Sequence, residues 1–252
     1  MTFTKETHVV NGVKVVMLTA GSGEPLVFWH GAGTATGFDF ALPWAERFRV
    51  MIPYHPGWGE SGDAPQLDAP REYMLHYMDL FDQLGLEKIN LVGLSMGGCF
   101  AATFAVEHGD RLRKLVLIAP AGLAVPEHPI ADLSQVPPQE IPRYLVTDFS
   151  MIEKYYSANP EFQAAAAREG GNFGRMLAAG LIGPWLERWL HRVHVPTMIV
   201  WGEKDRIVPV EQADVWKKLI PQARLLRVPK VGHLPMQESS LVPGAIADFL
   251  AT

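Results

Sequence analysis

A single cysteine, Cys99, excludes any intrachain disulfide. Charge is also scarce: charged residues make up 19% of the 252, with 22 Lys and Arg against 27 Asp and Glu. No basic cluster interrupts this mild acid excess, so nucleic acid and anionic membrane surfaces are poor partners. No apolar run approaches the roughly 20 residues needed to span a bilayer. The opening stretch, MTFTKETHVV, lacks a basic segment followed by an apolar one, so no secretory leader is expected. There is no H-E-x-x-H and no cysteine pair to hold a metal. The Gly-rich GSGEP (21–25) lacks the Lys-Ser/Thr of a phosphate loop, so no nucleotide or other cofactor is expected. What the chain does have is apolar residues, 48% of the total, enough for a sizeable core. These features predict a soluble, cytoplasmic protein acting on a small molecule, with homo-oligomerisation left open.

Short apolar runs recur along the chain: Thr7–Val10, Val13–Leu18, Pro25–Trp29, Phe48–Ile52, Ile89–Val92, Leu115–Ile118, Thr197–Trp201 and Ala223–Val228. Most lack polar alternation, as strands covered on both faces do. Asn11-Gly12 between the first two is a two-residue hairpin signal. Helical patterns fall between later runs, at Tyr73–Leu84, Gly97–His108, Val210–Leu219 and Leu241–Leu250. In the first of these, Met74, Tyr77, Met78, Phe81 and Leu84 share one face. The class is therefore α/β: a mostly parallel sheet flanked by helices and preceded by an antiparallel hairpin.

The alternation stops between Leu123 and Arg192. This stretch opens with Pro126, Pro129, Pro137, Pro138 and Pro142. It then reads as helical over Tyr144–Ser157, Glu161–Glu169, Phe173–Leu181 and Pro184–His191. A helical insertion covering the sheet is predicted, because a structureless loop of that length does not suit a compact domain.

The chemistry concentrates at strand ends. Gly93-Leu94-Ser95-Met96-Gly97 is a G-x-S-x-G that follows one predicted strand and opens a helix. In that context the serine sits on a strained turn with its hydroxyl lifted clear of the sheet. The Met96 N–H, at the helix start, points toward developing negative charge. A serine hydroxyl needs a base, and the base needs an orienting acid. Asp205 lies just past Thr197–Trp201 and His233 just past Ala223–Val228, so both fall on the rim that carries Ser95. Glu203 is the nearest competing acid but sits too close to its strand. His30-Gly31-Ala32-Gly33 follows Pro25–Trp29, where a second oxyanion donor belongs. Ala32 N–H is assigned to it, with Gly33 the neighbouring alternative. His30 is read as holding that loop by hydrogen bonds. Cys99 reads as a small buried side chain without chemistry.

These segments together, HGAG (30–33), PGWGESG (56–62), GLSMGG (93–98), WGEKDRIVP (201–209) and VGHLPMQE (231–238), resemble the α/β-hydrolase superfamily over essentially the whole chain. The resemblance implies an eight-stranded, mostly parallel sheet with a helical cap inserted after the sixth strand. The core would then be residues 1–122 and 193–252, and the cap residues 123–192. It also implies a Ser95, His233, Asp205 triad with Ala32 and Met96 N–H groups as the oxyanion hole. The serine separates the chain from superfamily members that use aspartate there, the haloalkane dehalogenases and soluble epoxide hydrolases. It leaves esterases, lactonases, thioesterases and C–C bond hydrolases. In the family the PGxGxS loop has an Asp two residues before its proline. Here Tyr54 stands in that place, which predicts a weakened hydrogen-bonding role.

The expected activity is hydrolysis of a carboxylic ester, lactone or thioester through an acyl-enzyme. A C–C bond hydrolase of the aromatic meta-cleavage type and a catalytically weak ligand receptor are the alternatives. The insertion holds Met151, Tyr155, Tyr156, Phe162, Phe173, Met176, Leu177, Leu181, Trp185 and Trp189, an inventory suited to an apolar acyl or aromatic substrate. Most of these are expected simply to pack the insertion on the core. Its cations, Arg143, Lys154, Arg168, Arg175, Arg188 and Arg192, are the groups that could bind a substrate carboxylate.

Overall fold

The computed structural model describes residues 1–133, 135–137, 139–156 and 160–252, with residues 160–163 described by their backbone alone. All eight apolar runs are strands: β1 (Thr4–Val10), β2 (Val13–Ala20), β3 (Glu24–Trp29), β4 (Phe48–Pro53), β5 (Ile89–Leu94), β6 (Leu112–Ile118), β7 (Thr197–Gly202) and β8 (Arg224–Val228). They form one sheet in the order β1-β2-β4-β3-β5-β6-β7-β8. β1 and β2 pair antiparallel, as do β2 and β4, and every later pairing is parallel. Asn11 (φ 50°) and Gly12 (φ 79°) turn the first hairpin, both in the left-handed conformation that such a turn requires. The fold is the mostly parallel eight-stranded α/β-hydrolase arrangement.

The helices are α1 (Pro70–Gln83), α2 (Met96–Glu107), α3 (Pro142–Leu145), α4 (Pro160–Ala178), α5 (Pro184–Glu187), α6 (Gln212–Leu219), α7 (Pro235–Glu238) and α8 (Leu241–Ala251). Two apolar layers sandwich the sheet. Tyr77 and Phe81 of α1, Phe100 and Phe104 of α2 and Trp216 of α6 bury on one face. Val242, Ile246 and Phe249 of α8 bury on the other, with Trp44 of a 3₁₀ segment, Asp39–Glu46. Among the described residues no helix is long and apolar enough to cross a membrane.

Between β6 and β7 the described residues turn helical from Pro142 onward, but not in the pieces the sequence suggests. The helix expected over Tyr144–Ser157 stops at Leu145, because Val146 turns extended (φ −135°, ψ 161°) and buries its side chain. Two 3₁₀ turns follow, Phe149–Met151 and Glu153–Tyr155, and the Asp148 side chain accepts from Ser150 N–H at the start of the first. Ser157 itself lies outside the described residues. The two helices expected at Glu161–Glu169 and Phe173–Leu181 are one, α4, running through Gly170-Gly171 and ending at Ala178. Glycine costs a helix roughly 1 kcal/mol per residue. Bonds from Glu169 and Asn172 to the core, on either side of the pair, offset that cost. Pro184–His191 likewise shortens to α5 followed by a 3₁₀ turn at Leu190–Arg192. Met176, Leu181, Leu186 and Leu190 join one apolar layer, and Val146 and Ile152 join the other.

A buried polar chain ties the loops after β3 and β4 to α1. His30 Nδ1 donates to the Gly31 carbonyl (2.7 Å), and His30 Nε2 accepts from the His55 N–H (3.1 Å). His55 Nε2 donates back to the His30 carbonyl (2.9 Å), while the Tyr77 hydroxyl donates to His55 Nδ1. Every ring nitrogen is used once, in one tautomer, with both imidazoles neutral. Burial lowers the His30 pKa to about 4. Burial first, and then His30, hold His55 well below its usual value as well. In the loop after β4 the Tyr54 main-chain carbonyl accepts from Ser61 Oγ (2.8 Å), and the neighbouring His55 ring donates to the His30 carbonyl.

Two tests follow from this packing. A Cβ on Gly97 would lie 2.2 Å from the Trp29 carbonyl oxygen, and one on Gly93 would lie 2.3 Å from that of Gly97. Gly93→Ala and Gly97→Ala should each lower the unfolding free energy in urea by at least ~2 kcal/mol, whereas Gly244→Ala, in open space on α8, should not. Between the ordinary histidine pKa of 6.5 and about 4, the unfolded chain binds a proton that folded His30 refuses. Stability should therefore fall as pH drops through that window, by on the order of 3 kcal/mol from His30 and further from His55. A flat urea midpoint from pH 7 to pH 4.5 would contradict it.

Candidate active site

β5 passes into α2 across one residue. Ser95 sits there at φ 55°, ψ −115°, a conformation costing a side-chain-bearing residue about 1–3 kcal/mol. The surroundings impose it. Ser95 N–H donates to the Ile118 carbonyl on β6 (2.9 Å), and the Ser95 carbonyl accepts from Cys99 N–H and Ala121 N–H (3.0 Å each). The backbone is thereby fixed, and the side chain makes no capping bond to α2. Met96 N–H, the next donor, belongs to the first turn of α2, where helix geometry supplies no acceptor. Cys99 faces the Leu181 carbonyl, and burial pushes its thiol up to about 12, which leaves it unreactive.

Asp205 lies three residues past β7. Its Oδ1 accepts from Ile207 N–H (2.8 Å) and Val208 N–H (2.9 Å), and its Oδ2 accepts from His233 Nδ1 (2.7 Å). Its side chain is wholly buried and that of His233 only 4% exposed, so the pair is shielded from competing water. The bond fixes the imidazole tautomer, with a proton on Nδ1 and a lone pair on Nε2. Glu203, the competing acid, is exposed. Gly202 makes the close approach feasible, since a Cβ there would lie 2.1 Å from the Gly232 carbonyl oxygen.

The loop bearing His233 is itself held. The Glu238 carboxylate accepts from Gly232 N–H (2.7 Å) and, through its other oxygen, from Thr147 N–H (2.7 Å). Leu234 N–H donates to the Leu145 carbonyl (3.0 Å), and Arg206, beside Asp205, donates to the Val146 carbonyl (2.8 Å). Residues 143–147 thus bridge the acid loop and the base loop, a link between distant segments that no sequence motif announced.

Ser95, Asp205 and His233 follow the C-terminal ends of β5, β7 and β8, on one rim of the sheet. Of the three, Asp205 and His233 are already hydrogen-bonded. Among the described residues no hydrogen bond joins Ser95 Oγ to His233, a contact that commonly tightens only when substrate binds. The loop after β3 abuts the serine: a Cβ on Gly31 would lie 3.4 Å from Ser95 Cβ. His30 holds the Gly31 carbonyl, and Trp58 Nε1 holds the Ala32 carbonyl (2.8 Å). The first of these bonds orients the peptide that carries Ala32 N–H, and the second the peptide that carries Gly33 N–H. Both amides remain as donors, so the choice between them stays open.

Of the apolar inventory of the insertion, Met176 and Leu181 are core, while Met151, Leu177 and Trp189 are more than 40% exposed. Tyr155, Tyr156, Phe173 and Trp185 are half-buried, which leaves them as the described candidates for a substrate surface. The Phe162 side chain lies outside the described residues. Among the described cations Arg175 reaches inward, donating to the buried Asn172 Oδ1 (2.7 Å) and lying near enough to buried Tyr73 to act on its hydroxyl. Arg143, Lys154, Arg175, Arg188 and Arg192 are exposed, and half-buried Arg168 is bonded to the Gly59 carbonyl and to Asp63. Among the described residues no group of three or more His, Cys, Asp or Glu could hold a metal ion.

Comparison with known proteins follows the same lines. Lipase 1 of Psychrobacter immobilis is 28% identical over 254 residues, covering 93% of this chain and 80% of that protein. A 2-hydroxy-6-oxo-6-phenylhexa-2,4-dienoate hydrolase of Burkholderia cepacia is 27% identical over 268 residues, covering 96% of this chain and 93% of that protein. The crystal structure of a bacterial membrane phospholipase A superposes with a TM-score of 0.83 at 23% identity, over 99% of this chain and 86% of that one. The sequence model of the alpha/beta hydrolase family matches residues 26–248, and the chain belongs to that family.

Proposed function

We propose that this hydrolase cleaves a carboxylic ester of a neutral, apolar substrate through a serine acyl-enzyme. The observation that carries the reading is the His233–Asp205 bond, which presents Nε2 as an acceptor on the rim where Ser95 is held in a strained turn. His233 takes the Ser95 proton as Oγ attacks the carbonyl carbon, and Asp205 stabilises the imidazolium that forms. Met96 N–H and Ala32 N–H receive the oxyanion, each worth roughly 3 kcal/mol. His233 then returns its proton to the leaving alcohol, and a water it deprotonates releases the acyl group. Residues 123–192 act as the cap, with the half-buried aromatics Tyr155, Tyr156, Phe173 and Trp185 facing the substrate.

The C–C bond reading has support from the dienoate hydrolase relative, whose substrate, by its name, carries a carboxylate. That group calls for a buried cation. The described cations of the insertion are exposed or already bonded, which favours the neutral ester. Ser95→Ala should fold like the parent and lose the p-nitrophenolate burst with p-nitrophenyl butyrate, with turnover down by a factor on the order of 10⁴ or more. Retained turnover would exclude the acyl-enzyme. Side by side, wild-type kcat/KM should be higher for the ester than for a 2-hydroxy-6-oxo-dienoate, and the reverse order would transfer the assignment to C–C cleavage.

A further inference from the structure

Glu169 is a buried carboxylate that the proposed mechanism does not use. It lies on α4, in the insertion, and is 5% exposed. Its Oε1 accepts from the Thr34 hydroxyl (2.6 Å) and from Gly59 N–H (2.9 Å), and its Oε2 accepts from Thr34 N–H (3.1 Å). Withdrawing a carboxylate from water is costly unless several donors meet it. Here three donors do, and they come from two loops that both belong to the core. Its charge also reaches Tyr156, whose hydroxyl is pushed up to about 12, by burial first and then by Glu169.

Its partners define what it does. Thr34 stands two residues after Ala32. Three successive peptides of this loop are gripped one by one: the Gly31 carbonyl by His30, the Ala32 carbonyl by Trp58, and the Thr34 N–H by Glu169. The grips on the first two come from the core, and the grip on the third comes from the insertion. An apolar side chain could fill the same space without the desolvation penalty, but it could not orient an N–H. The neighbouring bonds of α4 differ in this respect. Asn172 Nδ2 donates to the Gly57 carbonyl (2.5 Å), and Arg168 donates to that of Gly59, so both dock the helix without touching residues 30–34.

We propose that Glu169 is a positioning residue for the oxyanion hole: the insertion, through this carboxylate, sets the orientation of the donor loop after β3. The inference rests on the serine-hydrolase reading above.

The test compares Glu169→Ala, Thr34→Val and the double variant with Asn172→Ala, which loosens α4 elsewhere. The substrate is p-nitrophenyl butyrate. The probe is an alkyl trifluoromethyl ketone, whose adduct oxygen occupies the hole. For Glu169→Ala, kcat should fall about tenfold and the ketone Ki should rise by a similar factor, one such donor typically being worth 10²–10³ when removed outright. KM should stay within about twofold. Thr34→Val, which keeps its N–H, should move both in the same direction by less, and the double variant should be no worse than Glu169→Ala. Asn172→Ala should leave kcat and Ki near wild type. Equal losses in Glu169→Ala and Asn172→Ala, or a fall in kcat without a rise in ketone Ki, would reduce Glu169 to a packing contact and overturn the proposal. If Glu169→Ala fails to fold, Thr34→Val decides: an unchanged Ki overturns it. A wild-type protein that neither turns over the ester nor binds the ketone overturns the serine-hydrolase reading, and this inference with it.

Discussion

The chain can reverse from β5 into α2 across a single residue only because nothing larger than hydrogen occupies Gly93 and Gly97. The helix start is pressed against the Trp29 and His30 carbonyls, closer than any side chain would allow. That contact brings the loop after β3 alongside Ser95 and the helix start, whose first N–H groups, Met96 among them, have no helical acceptor. A strained serine and a neighbouring loop are thus products of one steric constraint. The remaining side chains of the proposed site are placed relative to it by the parallel register of β5 to β8.

Around this point the polar groups are spent on holding peptides still. His30 and His55 are neutral, buried and fully used, so neither offers a free lone pair. Asp205 meets three N–H donors, which accounts for a wholly buried carboxylate beside an imidazole. Electrostatic stabilisation of a transition state depends on donors that need no reorganisation when charge appears. In this chain the proposed donor loop has its Gly31 and Ala32 carbonyls held by His30 and Trp58.

Much of this was legible from residues alone. The strands are continuous apolar runs ending in Gly or polar loops, and each expected run lies within its strand except the last, which begins one residue early at Ala223. Ser95, Asp205 and His233 were singled out by their offsets from strand ends, and parallel strands deliver such offsets to one rim. The insertion resisted reading for a physical reason. Val146 leaves the helix to bury against the core, and α4 crosses two glycines because its side chains are anchored on either side. Neither event has a local signal. The partners of Glu169 stand 135 and 110 residues away. The histidine chain was partly visible, since HG after a strand suggested a structural His30. That His55 would join it was not.

The Glu238 bridge carries a consequence for how such a protein can diversify. One carboxylate joins the residue before His233 to Thr147, while Arg206 grips the same short segment from beside Asp205. The segment between β6 and β7 is therefore stitched to the loops that carry Asp205 and His233. A graft of a foreign segment between β6 and β7 must reproduce the carbonyls of Leu145 and Val146 and the amide of Thr147 at its entry. Without that short hem, the exchanged piece would leave the loop that carries His233 untethered on that side.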